Sequence, residues 1–317
     1  MITYGTYATP RADLGEAFHE FVPEGMTLIA DRIFPSYPVQ TEDGTISVIT
    51  RENMRADETE RAEGGTFRRI DIEGEDLSYT TKNHGLEIPV TDRERRKYTN
   101  DFQIETEKTQ IMKLRMKLRR ELRVSQAIFN TTTWTGDLQT DYSGAPWDAA
   151  GSDVITHVRT AMRAVKSRTG VKPNALVIGD ATAENLCSNT GIIARFPDNV
   201  TLTVDLIRER MAAIFGLQHL IVGDAVYNSA DQGQAFSGAD IWADDYAWIG
   251  RVAEGEGSPV LTPAVGRTLR WADMAGNPDT VDQYREEQTK SDILRVEDYL
   301  EEKVFDAYFG QLLIVDE

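Results

Sequence analysis

The sequence predicts a mixed α+β protein, and three observations carry that expectation. Runs of period-two character crowd residues 45–90, a stretch free of proline and glycine extends from about residue 99 to 129, and strands alternate with helices after about residue 173. The alternation lacks the parallel βαβ series of a doubly wound sheet. With 317 residues the chain can bury one large core or two modest ones. Its 40% hydrophobic and 9% aromatic content suits a folded chain and is too rich for disorder.

The first forty residues hold Pro10, Pro23, Pro35 and Pro38 and no sustained apolar period. Proline fixes φ and removes a donor, so this region reads as an extended arm with at most a short helix around Leu14 to Phe21. Phe18, Phe21, Leu28, Ile29, Ile33 and Phe34 are too many apolar residues for a free tail. Next come three β-like runs, TISVIT (45–50), FRRIDIEGEDLSYT (67–80) and GLEIPV (85–90). Pairing the first two leaves a tip of about sixteen residues, where hairpin loops usually hold about two to five. The tip and its flanks carry Arg51, Glu52, Arg55, Asp57, Glu58, Glu60, Arg61, Glu63, Arg68 and Arg69. A lone two-stranded ribbon is marginal in water, so the excursion needs support from its own body or another chain. Mixed charge suits a polar contact with a neighbour; a solvated, disordered loop is the competing reading.

The long stretch has Thr99, Asn100 and Asp101 as candidate caps, and Ile111, Leu114, Leu118, Leu122 and Phe129 as its expected apolar stripe. About thirty helical residues make a rod near 45 Å, against a usual helix of about eleven residues. Within it, KLRMKLRRELR (113–123) sets Lys113, Arg115, Lys117, Arg119, Arg120 and Arg123 against Glu121. This is either a solvated face with intrahelical ion pairs or, at Lys113, Lys117, Arg119, Arg120 and Arg123, a face for a scaffold, DNA or another subunit. A second helix is expected from about Val154 to Arg168, ended by Thr169-Gly170. Then NALVIG (174–179) leads into DATAENLCSN, and VDLIRERMAAIFG (204–216) into HLIVGDAVYN (219–228). Further strands are expected in ADIWADDYAWIGRV, in GRTLRWADM and in the block that starts at Val281.

Catalytic signatures do not surface. ALVIGDATAENL has a strand–turn–helix layout but neither G-x-G-x-x-G nor a G-K-[ST] ending, and there is no G-x-S-x-G. His19, His84, His157 and His219 are widely separated, and the single Cys187 reads as packed and inert. The acidic Asp240–Asp245 region is where a metal-dependent hydrolase would have to sit, although a strand-end turn is the better account. No catalytic, cofactor-binding or metal-ligating residue is assigned, and the chain is not read as an enzyme. A net charge of −18 and a pI of about 4.7 argue against a surface made to grip nucleic acid or a membrane. No run approaches eighteen apolar residues, and the start lacks the pattern of a secretory signal. One cysteine suits a reducing compartment, so use without export is the expectation.

The order of arm, β excursion, long helix, mixed body and closing strands resembles the major capsid proteins of tailed phages, the Hong Kong 97-like fold. IADRIFPSYPV (29–39), KPNALVIGDATAENL (172–186), FGLQHLIVGDAVYNSA (215–230), IWADDYAWIG (241–250) and DQYREEQTKSDILRVEDYLEEKVFDA (282–307) look like that family. The resemblance implies an N-arm (1–40), an E-loop (41–90) and a peripheral domain (91–172 and 281–317) with a spine helix at about 99–129. An axial domain would span 173–280. It implies self-assembly into hexamers and pentamers of an icosahedral head around double-stranded DNA, held without sequence-specific contacts. Assembly would occur in the host cytoplasm, and the mature location would be the virion. Partners would be a portal, a separate scaffolding protein (no long scaffolding segment precedes the arm) and a decoration protein. No lysine precedes Lys82, so the E-loop tip offers none for a lysine–asparagine cross-link and the shell is expected to hold without covalent bonds. An encapsulin-like cargo compartment of the same fold is the alternative.

Overall fold

A computed structural model describes residues 9–11, 13–15, 25–49, 56–57, 59–61, 63–71, 74–97, 101–196, 204–231, 233–254, 262–272 and 281–316. Two sheets organise it. In the first, the strand order is β1 (Thr9–Pro10), β13 (Val281–Glu286), β14 (Ser291–Val304), β12 (Gly266–Trp271) and β2 (Ser36–Val39). The other edge of β14 pairs with β5 (Lys82–Thr91), and β12–β2 is the one parallel pair of this sheet among the described residues. In the second, the order is β6 (Gln139–Asp141), β15 (Gly310–Ile314), β11 (Tyr246–Gly250), β7 (Ala175–Gly179) and β8 (His219–Gly223). Two ribbons stand apart, β3 (Asp43–Ile49) with β4 (Gly74–Thr80), and β9 (Val226–Asn228) with β10 (Gly238–Asp240).

The helices are α1 (Ala30–Ile33), α2 (Asp92–Lys97), α3 (Asp101–Ile128), α4 (Val154–Thr169), α5 (Asp180–Cys187), α6 (Thr190–Ile193) and α7 (Val204–Phe215). The expected ends of α4 hold. The Asp153 carboxylate accepts from the Thr156 N–H, and Gly170, at φ 75°, takes the left-handed turn that stops the helix. In the arm, the described residues show one helical turn at 13–15 and the short α1; residues 16–24, where the rest of the expected helix would fall, lie outside them. Residues 29, 30, 33 and 34 are buried, so this part of the arm belongs to the body of its own chain.

The long helix forms where expected, and Leu118, Leu122 and Phe129 of the expected stripe pack against the core, but Ile111 does not. Ile111 is 47% exposed, while Ile104, Met112, Val124 and Ile128 are buried. Glu105, Thr109, Lys113, Glu121 and Ser125 are buried as well. Hydrophobic spacing does not find these polar residues, several of which are satisfied inside the chain. Thr109 donates to the Glu105 carbonyl at 2.8 Å, and Ser125 to the Ile241 carbonyl at 2.6 Å. Glu105 receives Arg11 at 3.0 Å together with Arg95, and Arg95 reaches on to Asp292 at 2.6 Å.

Glu121 ties three parts of the chain together. Its carboxylate accepts the Ala30 N–H at 2.7 Å and the Trp242 indole N–H at 3.1 Å. Arm, long helix and the 241–242 turn therefore meet at one buried carboxylate, in the cluster that holds Ile29, Ile33, Phe34, Val124, Ile128, Trp134 and Trp248. Burial pushes this carboxyl above its ordinary range, and the two donors pull it partly back.

A second constraint lies in the β11–β15 register, where Gly250 faces Gly310. A Cβ at Gly250 would lie 2.2 Å from the Trp248 ring and 2.8 Å from the Phe309 carbonyl oxygen. One at Gly310 would lie 2.6 Å from the Trp248 indole nitrogen and 2.7 Å from the Trp134 ring. The facing glycines thus open the slot in which Trp134 and Trp248 pack, with ring centroids 5.8 Å apart.

Gly310→Ala overpacks this slot and should lower stability by about 1–3 kcal/mol in urea unfolding monitored by tryptophan fluorescence. Glu121→Ala strands two buried donors and should cost about 1–3 kcal/mol. Glu121→Gln keeps an acceptor and loses less. Because the folded carboxyl is raised above about 4.5, the charge opposes folding increasingly as pH rises through that range. The stability gap between wild type and Glu121→Gln should therefore narrow as pH rises above about 4.5 in thermal melts.

Candidate subunit-interaction surfaces

The excursion after residue 42 is a ribbon whose second strand lies later than the sequence pattern places it. β3 pairs with β4, Ile46 facing Leu77 and Val48 facing Glu75, while residues 65–71, which include most of FRRIDI, form no strand. The reason is spacing. Phe67 and Ile70 stand three apart and cannot share one face of a strand, whereas Leu77 and Tyr79 alternate correctly. Tyr79 and Val48 pack with Val39, Leu269 and Phe305, anchoring the ribbon's base. The connection therefore runs through residues 50–73, longer than expected. At the base, Thr81 donates both its N–H (2.8 Å) and its hydroxyl (3.0 Å) to the Glu42 carbonyl.

Of the charged tip residues, Arg51, Glu52, Arg55 and Glu58 lie outside the described residues. Asp57, Glu60, Arg61, Glu63, Arg68 and Arg69 are exposed. Arg68 pairs with Asp57 at 3.3 Å, and the Arg61 guanidinium sits 4.2 Å above the centre of the Phe67 ring. The same tip exposes Phe67 (78%) and Ile70 (71%) to solvent. Charge counting missed these two apolar residues, and their three-residue spacing was the available signal.

The basic segment of α3 separates into two sets. Arg120 pairs with Asp31 at 2.5 Å and donates to Thr268 at 3.1 Å, and Arg123 makes a two-pronged contact to Glu302 at 2.7 and 2.9 Å. Lys113 is buried and engaged. Arg120 and Arg123 hold the arm, β12 and β14 to the helix. Arg115, Lys117 and Arg119 make no hydrogen bond or ion pair among the described residues and line a cavity of about 270 Å³ between α3, β5 and β14.

The other acidic and thiol candidates have structural positions. Asp240–Asp245 forms the turn from β10 to β11, with Asp244 against Gly179 and its carboxyl raised first by burial. Among the described residues no group of three His, Cys, Asp or Glu side chains is placed to hold a metal ion. Cys187 is buried at the end of α5, and burial pushes its thiol up. Among the described residues no helix is long and apolar enough to cross a membrane.

Comparison with known proteins places this architecture. No family model matches the chain. A curated relative, the major capsid protein of Burkholderia phage BcepMu, is 28% identical over 291 residues, covering 90% of each chain. A solved phage-related protein of Bordetella bronchiseptica superposes with a TM-score of 0.73 at 22% identity, over 96% of each chain. A virus-like particle protein of Pyrococcus furiosus (TM-score 0.55, 14% identity) covers 98% of this chain and 100% of its own. The SrpI encapsulin of Synechococcus elongatus (0.54, 15%) covers 94% and 91%. The chain carries the Hong Kong 97-like capsid fold and is a homologue of a phage major capsid protein.

Proposed function

We propose that this chain is the major capsid protein of a tailed phage, assembling into hexamers and pentamers of an icosahedral head that encloses double-stranded DNA. The observation that carries this reading is the relationship to the BcepMu major capsid protein along 90% of both chains. Residues 1–40 act as the arm and 41–90 as the E-loop, and the rest divides into a peripheral and an axial part, a division that both sheets cross. The peripheral part is 91–172 with 281–317, and the axial part 173–280. In this role the tip residues Arg51, Glu52, Arg55, Asp57, Glu58, Glu60, Arg61, Glu63, Arg68 and Arg69 meet a neighbouring subunit.

Exposed ion pairs contribute about 0–1 kcal/mol each, so such a contact is individually weak and reversible. A closed shell repeats it many times, which yields a stable particle from correctable steps. Phe67 and Ile70 add apolar area to the same contact. The net charge of −18 keeps packaged DNA from adhering tightly, in line with enclosure rather than sequence reading. Portal, scaffold and decoration protein complete the assembly, in the host cytoplasm. An encapsulin-like cargo shell is the second reading, on the likeness to the SrpI encapsulin, and particle content separates the two: DNA against enclosed protein.

Negative-stain electron microscopy of the purified full chain should show shells or five- and six-membered rings; a uniform monomer at high concentration would falsify the proposal. With no lysine before Lys82, denaturing electrophoresis of mature particles should give a single band at the chain's 35.5 kDa. A ladder of covalent multimers would contradict a non-covalent shell.

A further inference from the structure

The cavity beside α3 has a composition unlike the rest of this acidic chain. Its floor is aliphatic, made by Leu86, Met116 and Leu300, and Leu86 is 36% exposed. Arg115, Lys117 and Arg119 stand around it without partners among the described residues, whereas Arg120, Arg123 and Arg270 are already paired with acids. The field there is positive. The His84 imidazole is held below its ordinary range first by burial, then by Arg123, with Lys82 and Arg119 adding to it against Glu302. One wall is β5, ten residues long and paired only with β14 among the described residues, so its outer edge has no partner strand.

We propose that this groove docks an extended acidic segment of a partner protein, with an apolar side chain on Leu86 and Met116 and carboxylates on Arg115, Lys117 and Arg119. Charge complementarity selects the acid, since a net charge of −18 repels an acidic partner elsewhere on the chain. The aliphatic floor selects an apolar anchor, which a phosphate backbone does not carry. Size excludes a duplex, which is stiff over about 150 base pairs and lays its phosphates on a surface rather than inside such a cavity. An extended peptide also fits an unpaired strand edge. The inference deepens the capsid reading, on which it rests, by giving an assembly partner a docking place.

The test is fluorescence anisotropy on the full, unassembled chain with a labelled peptide of about twelve residues alternating Glu and Leu. Binding that weakens with salt is expected, about tenfold weaker in Arg115→Gln/Lys117→Gln/Arg119→Gln and weaker in Leu86→Ser. A poly-Glu peptide of equal length should bind less well than the Glu/Leu peptide. Circular dichroism checks that the variants, which alter exposed or half-buried side chains, stay folded. Equal binding to wild type and triple variant, or none at all, overturns the proposal. A short DNA duplex that binds through the three cations in place of the peptide also overturns it. Tighter peptide binding after Glu16→Gln/Glu20→Gln/Glu24→Gln would assign the groove to this chain's own arm and overturn it too. Electron microscopy of the same preparations reports separately on the capsid reading, so shells without peptide binding sink only the groove.

Discussion

Strand β14 is the constraint on which the first sheet depends. Its fourteen residues pair along one edge with β5 over ten positions, and along the other with β13 and then β12. Residues 82–91 and 266–271 thus take their places only when a strand near the end of the chain arrives. Burial enforces the register. Leu294 and Val296 pack with Val90, Val281 and the α3 residues Ile104 and Met112, so a slip of one residue would turn apolar side chains to water. Such distant pairing closes long loops, which makes this part of the fold slow to form relative to α3 or α4.

The helix α3 shows how stability and interaction share one surface. Its buried polar residues are consumed in cross-chain ties, Glu105 to Arg11 and Arg95, and Glu121 to Ala30 and Trp242. Its basic residues divide between inward ion pairs at Arg120 and Arg123 and outward cations at Arg115, Lys117 and Arg119. The Arg123–Glu302 pair is largely shielded from solvent, whereas Arg115, Lys117 and Arg119 have no acid partner among the described residues, so the two sets serve different ends. The first fixes the subunit; the second remains available to other molecules.

Much of the fold was legible because local signals agreed with tertiary demands. The Thr169-Gly170 stop, the break from ALVIG into α5, and the uninterrupted stretch of α3 all name their own boundaries. Failures came where long-range contacts override local pattern. Ile111 reads as core by spacing and is solvent-exposed, while Glu121 and Ser125 are buried because they find partners at residues 30, 241 and 242 that no local window contains. FRRIDI reads as strand by composition, yet only GEDLSYT offers alternation that matches Ile46 and Val48. At the candidate surfaces, sequence reading found the charges but not their division of labour, since pairing with Asp31 or Glu302 is visible only in three dimensions.

The short interval at Thr81 has a mechanical meaning. β4 ends at Thr80 and β5 begins at Lys82, so the ribbon is a prolongation of a sheet strand, pinned at its root by the two Thr81 bonds to Glu42. Seven residues of β4 at about 3.3 Å each form a lever of roughly 23 Å. A bend of about 10° at its root would carry the far end through about 4 Å, and the packing of Tyr79 and Val48 on Val39, Leu269 and Phe305 resists it. The root at Thr81 and the cluster beneath it thus set the direction in which the ribbon projects from the first sheet.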